Sequence, residues 1–194
     1  MIIASVSSGN RFELIDGNGR FVDSFGSFPK IVSTDCQNNA VFQSTMAVDL
    51  KQHILVSAYL SMDYIEVYKD TTLIHRLRGP EIDKIKVNIH RLSSGTMYSL
   101  SPLKKAFYSI NIGNNIFFVG RNGTMIKKEE DYSRGLSSIF SFDFNGIPLT
   151  RYVLDRELVS FDIDYDSETL YGVTCSDNNS IVRYKEGFNT SLTP

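Results

Sequence analysis

A short apolar segment, a polar turn and a second apolar segment recur along the sequence in the same order. Three copies can be aligned: residues 46–50 with 54–56, residues 161–165 with 170–173 and, more loosely, residues 107–110 with 116–119. Short segments bounded by turns are typical of β-strands, because amphipathic helices show a longer pattern with a period near 3.6 residues. The repeat therefore predicts an all-β chain built from similar units.

A second hairpin pattern, with strands of alternating character, follows each of these copies, and one more copy of it stands alone near the N-terminus. It occurs at residues 11–15 before a turn at 16–19, at 64–68 before 69–70, at 139–144 before 145–146 and at 181–184 before 185–187. Several of the turns contain Gly or Asn, which tolerate the positive φ that tight hairpin turns require. Because alternate side chains of a strand lie on opposite faces, each copy can pack against a neighbour on both sides.

Together the two hairpins make a four-stranded antiparallel unit of about 40–50 residues, the size of a propeller blade. We therefore predict an all-β fold, a β-propeller of four-stranded antiparallel blades with about four blades present, in a single domain over residues 1–194. The predicted blades are a partial one at 1–30, then 46–77, 106–153 and 159–194. A β-sandwich or barrel with similar short strands is the alternative, and we favour the propeller because the whole hairpin pair repeats.

Three stretches of sequence resemble one known family. They are residues 11–16 with Asn18-Gly19, residues 64–68 continuing to 78–81, and residues 142–148 followed by 160–164 and 170–173. In these stretches the chain resembles the TolB-like six-bladed β-propellers of Bacteroides-type bacteria. The resemblance implies a partial six-bladed propeller, a location in the cell envelope or periplasm, and no particular reaction.

The resemblance also raises a question of length. Six blades of this size need roughly 250–300 residues, whereas the chain has 194 and starts without a secretion signal pattern. We therefore expect the chain to correspond to the C-terminal two-thirds of such a protein, lacking the N-terminal part. An open arc of blades, or a distorted smaller ring, is the expected shape. An arc would expose sheet surfaces at its ends and favour self-association through the open blade ends.

Composition and motifs exclude several classes of function. With 20 basic and 22 acidic side chains the chain carries a net charge of −2, so we predict no nucleic-acid partner. Its apolar runs are far shorter than the roughly 20 residues of a membrane helix, so we predict no transmembrane segment. The nucleophile elbow of α/β-hydrolases and the glycine-rich phosphate loops are absent from the sequence.

Candidate metal ligands do not form a recognisable pattern. Alternating carboxylates at residues 162–168 suggest a calcium loop, but an EF-hand loop needs Gly and Glu where this chain has Ser167 and Val173. Asp164 instead matches Asp49 in the repeat, which points to a structural role in a turn. His53, His75 and His90 share no ligand spacing. We predict no metal site and no cofactor.

The cysteines Cys36 and Cys175 lie far apart in the sequence. A zinc clip requires closely spaced ligand pairs, which are missing here. We favour two free, partly buried thiols, since cysteine often packs as a small apolar residue. A single long-range disulfide is the alternative that the sequence leaves open.

Two long connections interrupt the regular pattern. Residues 121–137 separate two strands of the third unit, and connections longer than about 12 residues are often functional. In a propeller such loops share one face with the blade-to-blade connections. The candidate binding residues on that face are Asp63, Arg78, Arg121, Arg134 and Asp177. The alternative is a solvated, mobile insertion.

The second long connection, residues 79–105, contains an alternating stretch at residues 85–92. Alternation is typical of a strand. It fits either an extra edge or a poorly formed blade, and the sequence does not decide between them.

The charges on the candidate face suit a protein or carbohydrate ligand, so we predict a non-catalytic binding or interaction propeller. The alternative is a hydrolase or lyase acting on carbohydrate at the channel mouth, which would need a metal or two carboxylates about 5–10 Å apart. A third interpretation is a partial propeller without independent activity. The side chains that converge over the site decide between the first two.

Overall fold

The computed structural model describes residues 2–4, 10–29, 41–79, 85–174 and 180–184. In this part of the chain there are fifteen strands, paired in four antiparallel sheets, and one short 3-10 helix, Glu129–Tyr132. No helix among these residues has the length and apolar composition that crossing a membrane requires. Cys36 and Cys175 lie outside the described residues, so the prediction for them stays a prediction.

The strands follow one another in chain order within each sheet. The first sheet contains β1 (Ile2–Ala4), β2 (Phe12–Ile15) and β3 (Phe21–Phe25). The second sheet contains β4 (Ser44–Asp49), β5 (Ile54–Tyr59), β6 (Tyr64–Lys69) and β7 (Thr72–Arg78). A separate hairpin has β8 (Lys86–Leu92) and β9 (Gly95–Ser101). The six-stranded sheet contains β10 (Phe107–Gly113), β11 (Ile116–Arg121), β12 (Leu136–Asp143), β13 (Pro148–Asp164), β14 (Thr169–Thr174) and β15 (Ile181–Tyr184).

Matching turns of the repeat are built in the same way. Asp49 ends β4 and accepts hydrogen bonds from the backbone N–H groups two and three residues later. Asp164 ends β13 and accepts the same pair. Each turn closes four residues after its aspartate on a residue with positive φ, His53 at 57° and Glu168 at 48°. The shared geometry explains why both positions carry aspartate, and it accounts for Asp164 without calcium.

The turns of the other hairpin also share one local geometry at two places in the chain. Asp16 and Asp143 each accept a hydrogen bond from the backbone N–H four residues later, at 2.9 and 2.8 Å. In both turns the third residue after the aspartate is a glycine with positive φ, Gly19 at 79° and Gly146 at 76°. A side chain at either glycine would strain the backbone. These two turns have the same geometry, as repeated hairpins require.

Strand β13 is the longest strand in the described part of the chain, with 17 residues. Its first part pairs with β12 and its second part pairs with β14. The strand thus runs through the connection between the third and fourth predicted blades. The described strands of these two blades belong to one six-stranded sheet. The sheet nevertheless folds back on itself, because Phe118 of β11 shares a buried cluster with Phe161 and Leu170. The blade boundaries themselves stay a prediction.

The core forms where the sheets stack face to face. Ile54, Val56 and Val67 of the second sheet pack against Phe117 and Val119 of the six-stranded sheet. On the opposite side, a cluster joins β2, β3, β5 and β6 through Phe12, Phe25, Leu55 and Tyr68. All six residues of β5 are buried. The second sheet is therefore covered on both faces. This arrangement fits stacked propeller blades better than a β-sandwich, in which each sheet has one covered face. The predicted all-β, partial-propeller fold is confirmed.

Most of the second long connection forms the β8–β9 hairpin rather than a four-stranded blade. At its base, Val87, Tyr98 and Leu100 pack against a buried cluster that includes Tyr59 and Met62. At its tip, the apolar side chains of Ile89, Leu92 and Met97 are exposed. The hairpin is therefore an extra element anchored at one end only.

Candidate functional site

A cavity of about 330 Å³ opens between the second sheet and the six-stranded sheet. We call it the inter-sheet cavity. Its apolar wall consists of Ile65, Leu77, Phe107, Phe140 and Phe142, and its remaining lining residues are Asp63, Arg78, Gly79 and Arg121. The wall follows from strand periodicity: Phe140 and Phe142 alternate with Ser141 along β12 and therefore share the face that looks toward the second sheet.

A glycine allows the end of β7 to approach the turn between β5 and β6. The backbone N–H of Gly79 donates to the carbonyl oxygen of Asp63 at 2.8 Å. A Cβ atom at Gly79 would lie 2.4 Å from Cβ of Asp63, far inside contact distance. The close approach of these two residues therefore depends on glycine, and it places Asp63 at the rim of the cavity.

Asp63 is a buried carboxylate, only 4% exposed, that is held by two cations. Lys104, which is equally buried, donates from Nζ to Oδ2 at 2.5 Å. Arg121 donates from Nε to Oδ1 and from Nη2 to Oδ2, both at 3.3 Å. Burial by itself would raise the pKa of Asp63, but the hydrogen bonds from Lys104 and Arg121 outweigh it and hold the pKa below its ordinary value. Asp63 is therefore a stable anion at neutral pH.

Of the five candidate residues, the structure brings Asp63, Arg78 and Arg121 together around this cavity. Arg134 is elsewhere: its side chain is exposed, and its carbonyl oxygen accepts hydrogen bonds from Lys105 at 3.0 Å and from Asn122 at 2.9 Å. Asp177 lies outside the described residues. Whether any of these residues binds a ligand stays a prediction.

Sequence reasoning missed the buried partner of Asp63 and the apolar wall of the cavity. Lys104 lies just before β10, and no local motif distinguishes it from Lys105 beside it. The phenylalanines of β12 did carry a signal, because Phe140, Phe142 and Phe144 alternate in the sequence. That pattern predicts one apolar face, but it does not show that part of the face lines a cavity.

The long loop after β11 is folded against the end of that strand. Asp131, in the 3-10 helix, accepts hydrogen bonds from the backbone N–H groups of Lys127 and Lys128 at 2.9 and 3.1 Å. The side chain of Asn122 donates to the carbonyl oxygens of Arg134 and Gly135. These bonds fix the path of the loop. The loop contributes none of the residues that line the cavity, because Arg121, which does line it, is the last residue of β11.

A second buried carboxylate, Glu66, lies between the first and second sheets. Arg11 contacts its Oε2 at 2.5 Å and Arg76 contacts its Oε1 at 2.7 Å. Tyr59 and Tyr68 each donate a hydroxyl hydrogen bond to Oε2 at 3.0 Å. Burial, together with the Glu66 carboxylate, raises the pKa of Tyr68, so its phenol stays protonated as a donor. The cluster is fully paired and joins the two sheets.

A larger cavity of about 680 Å³ lies at the opposite end of the second sheet, beside the turns that follow β4 and β6. His53 and Asp70 line it, with 3.0 Å between Nδ1 and Oδ1, and both side chains are exposed. Among the described residues, no three His, Cys, Asp or Glu side chains are grouped closely enough to hold a metal ion.

Comparison with known proteins identifies relatives of the fold. A family model described as TolB-like 6-blade propeller-like matches residues 1–166. A member of the DUF4221 family from Bacteroides vulgatus is similar, with 14% identity and a TM-score of 0.53 over 88% of this chain and 50% of that one. The complex of KlAtg21 with the coiled coil of AgAtg16 contains a similar chain, with 14% identity and a TM-score of 0.50 over 92% of this chain and 45% of that one.

This chain thus spans about half the length of those solved structures. At such low identity the likeness concerns the fold alone. No curated protein sequence matches the chain.

Proposed function

The chain belongs to the TolB-like six-bladed propeller family, and we propose that it is a non-catalytic binding protein of the cell envelope that holds its ligand in the inter-sheet cavity. Concave, mainly apolar sites with a few convergent polar groups are where proteins usually bind ligands. The cavity has an apolar wall of five side chains and a charged rim.

The environment of Asp63 is the observation that supports a binding function rather than a catalytic one. Glycoside cleavage by carboxylates requires a pair of them, one able to give or take a proton. Among the described residues that line the cavity, Asp63 is the sole carboxylate. Both of its oxygens accept hydrogen bonds from cations, and its pKa is lowered rather than raised. Asp63 is thus suited to positioning Arg121 and poorly suited to acting as a general acid.

The apolar wall of the cavity restricts which ligands can bind there. A neutral sugar would place hydroxyl groups against Ile65, Leu77 and Phe142, whose side chains offer no hydrogen-bond partner, and unpaired buried hydroxyls are costly. A ligand with an apolar part is a better fit. A partner protein could also bind on other surfaces, since a chain of this fold is seen in complex with a coiled coil. The envelope location rests on family membership.

The test separates binding from catalysis. The full chain is incubated with neutral and uronate-containing polysaccharides, and new reducing ends and unsaturated products are measured. We expect none above a buffer control. In parallel, small-molecule ligands are screened for a rise in melting temperature, which binding to the folded state produces by mass action, and hits are recovered by mass spectrometry. We expect hits that are recovered unchanged.

A matched pair of variants makes the result decisive. Asp63→Asn removes the carboxylate at the cavity, and Asp166→Asn removes an exposed carboxylate in the turn after β13. Polysaccharide cleavage that is lost in Asp63→Asn and retained in Asp166→Asn would overturn the proposal in favour of the hydrolase or lyase. Cell fractionation of a native source tests the proposed location. Recovery of the protein in the cytosol alone would contradict a location in the cell envelope.

A further inference from the structure

The β8–β9 hairpin protrudes from the stack of sheets. In the described part of the chain its two strands pair with each other and with no other strand. Its base packs against a buried core cluster, whereas every residue from 88 to 97 is exposed. We call residues 88–97 the hairpin tip. From Ile89 to Leu92 the tip extends about 10 Å at the rise of a β-strand, so a surface outside the molecule can reach it.

The hairpin tip has apolar side chains on both of its faces. Ile89 is 45% exposed and pairs with Tyr98, on the face that packs at the base. Leu92 and Met97 are 54% and 50% exposed. They lie on the other face, because Met97 pairs with His90 and strand residues alternate between faces. A groove in a protein covers one face of a hairpin, whereas a lipid surface surrounds the tip and removes apolar area on both faces from water.

The charge of this segment differs from that of the rest of the chain. Residues 84–128 contain eight of the 20 basic residues and none of the 22 acidic residues. Within the hairpin, Lys86 and Arg91 are exposed. Because salt screens exposed charges beyond about 8 Å, a protruding tip is governed by its own charges more than by the acidic residues of the body. The hairpin tip is therefore complementary to an anionic surface, and the guanidinium group of Arg91 matches a phosphate group, to which it can donate two parallel hydrogen bonds.

The backbone of the hairpin limits how deeply it can enter lipid. Each of its strands has one edge without a partner strand in the described part of the chain. Backbone N–H and C=O groups without hydrogen bonds are costly in the hydrocarbon core. Interfacial elements instead bury apolar side chains about 5–10 Å deep, at the boundary between headgroups and acyl chains. That depth matches the length of the tip.

We propose that the hairpin tip attaches the protein to an anionic lipid surface, with Ile89, Leu92 and Met97 at the boundary of headgroups and acyl chains and Arg91 on the lipid phosphates. Each half-exposed apolar side chain and each basic residue contributes about three- to tenfold in affinity, so attachment needs both kinds of contact. This surface is separate from the inter-sheet cavity. The inference therefore goes beyond the proposed binding function and does not depend on it.

Vesicle flotation measures the attachment. The full chain is mixed with vesicles of equimolar phosphatidylglycerol and phosphatidylcholine, or of phosphatidylcholine alone, and the bound fraction is followed against lipid concentration. We expect the chain to bind the anionic vesicles at least about tenfold more tightly than the neutral ones, because each basic residue near an anionic surface contributes about fivefold. Added salt should weaken binding to the anionic vesicles.

Two double variants connect the binding to the hairpin. Leu92→Ser with Met97→Ser is expected to weaken binding to anionic vesicles about tenfold or more, because two half-exposed apolar side chains no longer leave water. Lys86→Gln with Arg91→Gln is expected to weaken it about twentyfold, because two charges are lost. All four side chains are exposed, so the fold should be retained in both variants.

Matched controls change the same kinds of side chain elsewhere. Leu50→Ser with Ile147→Ser removes two apolar side chains that are 83% and 56% exposed. Lys51→Gln with Lys69→Gln removes two exposed basic residues at the opposite end of the second sheet. Both controls should bind the anionic vesicles like the wild type.

A single fluorophore can locate the contact, because the chain contains no tryptophan. Leu92→Trp introduces an indole at the hairpin tip, and Ile147→Trp introduces one in the turn between β12 and β13, where the replaced side chain is similarly exposed. With anionic vesicles we expect the emission of Leu92→Trp to shift to the blue and to be quenched by brominated acyl chains, because the indole leaves water. Ile147→Trp should show neither change.

Several results would overturn the inference. They are the absence of binding to anionic vesicles, equal binding to anionic and neutral vesicles, binding that Leu92→Ser with Met97→Ser weakens no more than its control does, and equal spectral shifts in Leu92→Trp and Ile147→Trp. A protein partner that requires the tip, in the absence of any vesicle binding, would assign the tip to protein recognition instead. None of these results changes the outcome of the ligand screen, so the proposed function would stand if this inference fails.

Discussion

Two buried carboxylates on the second sheet, Asp63 and Glu66, connect it to the sheets on either side. Glu66 is completely buried and pairs with Arg11, which precedes β2 of the first sheet. Asp63 pairs with Lys104, which precedes β10 of the six-stranded sheet. A buried charge is costly unless it is paired, so each contact requires the neighbouring sheet to be in place. The two pairs therefore favour one arrangement of the stack over others of similar apolar burial.

The Asp63 pair predicts a dependence of stability on pH. Because the folded-state pKa of Asp63 is lowered, its stabilising contribution is complete above the unfolded pKa of about 3.9 and is lost as the pH falls below it. We expect Asp63→Asn to reduce the free energy of unfolding by about 3 kcal/mol at neutral pH, since Lys104 loses its buried counter-charge. Urea unfolding at a series of pH values measures this difference.

The same urea unfolding series, measured at several pH values, also tests whether the charge of Asp63 is the cause. The gap in unfolding free energy between wild type and Asp63→Asn should narrow as the pH falls below about 4, because Asp63 then binds a proton in the unfolded chain while the folded carboxylate, with its lowered pKa, still resists protonation. Asp166→Asn should change the free energy of unfolding by less than about 0.5 kcal/mol throughout. A gap that keeps its full size in acid would show that the charge of Asp63 is not what stabilises the fold.

At the scale of single elements, the β8–β9 hairpin divides into a packed base and an exposed tip. Val87, Tyr98 and Leu100 contact the core cluster, whereas the side chains beyond Ile89 are exposed on both strands. Buried apolar surface, not strand pairing alone, stabilises a hairpin in water. The tip therefore contributes little to the stability of the domain.

This division predicts the result of shortening the hairpin. Replacing residues 90–97 by Asn-Gly, a good two-residue hairpin turn, keeps Ile89 opposite Tyr98 and preserves the base. We expect the free energy of unfolding, measured in urea, to change by less than about 1 kcal/mol. Leu100→Ala should lower it by about 1–2 kcal/mol, less than for a fully buried leucine. If shortening lowers the free energy of unfolding as much as Leu100→Ala does, the tip makes stabilising contacts, and the division into a packed base and an exposed tip is wrong.

The elements also show what a sequence can and cannot reveal about this fold. Local chemistry made the turns predictable: Asp49 and Asp164 satisfy backbone donors in the same way, so the repeat could be recognised. The continuity of β13 was less evident because the repeat placed a boundary there. Yet residues 154–158 contain no Gly, Pro or Asn that would end a strand. A pattern of repeats indicates units, but it does not indicate whether a connecting strand stays paired on both sides.

The candidate site shows the same limit. Repeat positions suggested that Asp63, Arg78 and Arg121 share one end of the sheets, and they line one cavity. The pairing of Asp63 with Lys104 joins residues 41 positions apart and depends on how the second sheet stacks on β10. Contacts of that kind are set by packing between sheets, which leaves no local signature in the sequence.

At the scale of the whole molecule, the sheets form a stack in which the second sheet is covered on both faces and the outer strands are not. Phe21 on β3 is 61% exposed and Ile181 on β15 is 75% exposed. Each of these strands is at the edge of its sheet in the described chain. Exposed edges with apolar side chains are sites where strands of another chain can pair.

We therefore predict that the chain self-associates through these outer strands. Sedimentation velocity over a range of concentrations should show a fraction of dimer or larger species that grows with concentration. The double variant Phe21→Ser, Ile181→Ser should shift the distribution toward monomer, because it removes apolar area from both edges. Ile147→Ser removes a similarly exposed apolar side chain from a turn between β12 and β13 and should leave the distribution unchanged. A wild-type chain that sediments as a single monomeric species at every concentration would contradict the prediction, because the exposed edges would then need no partner.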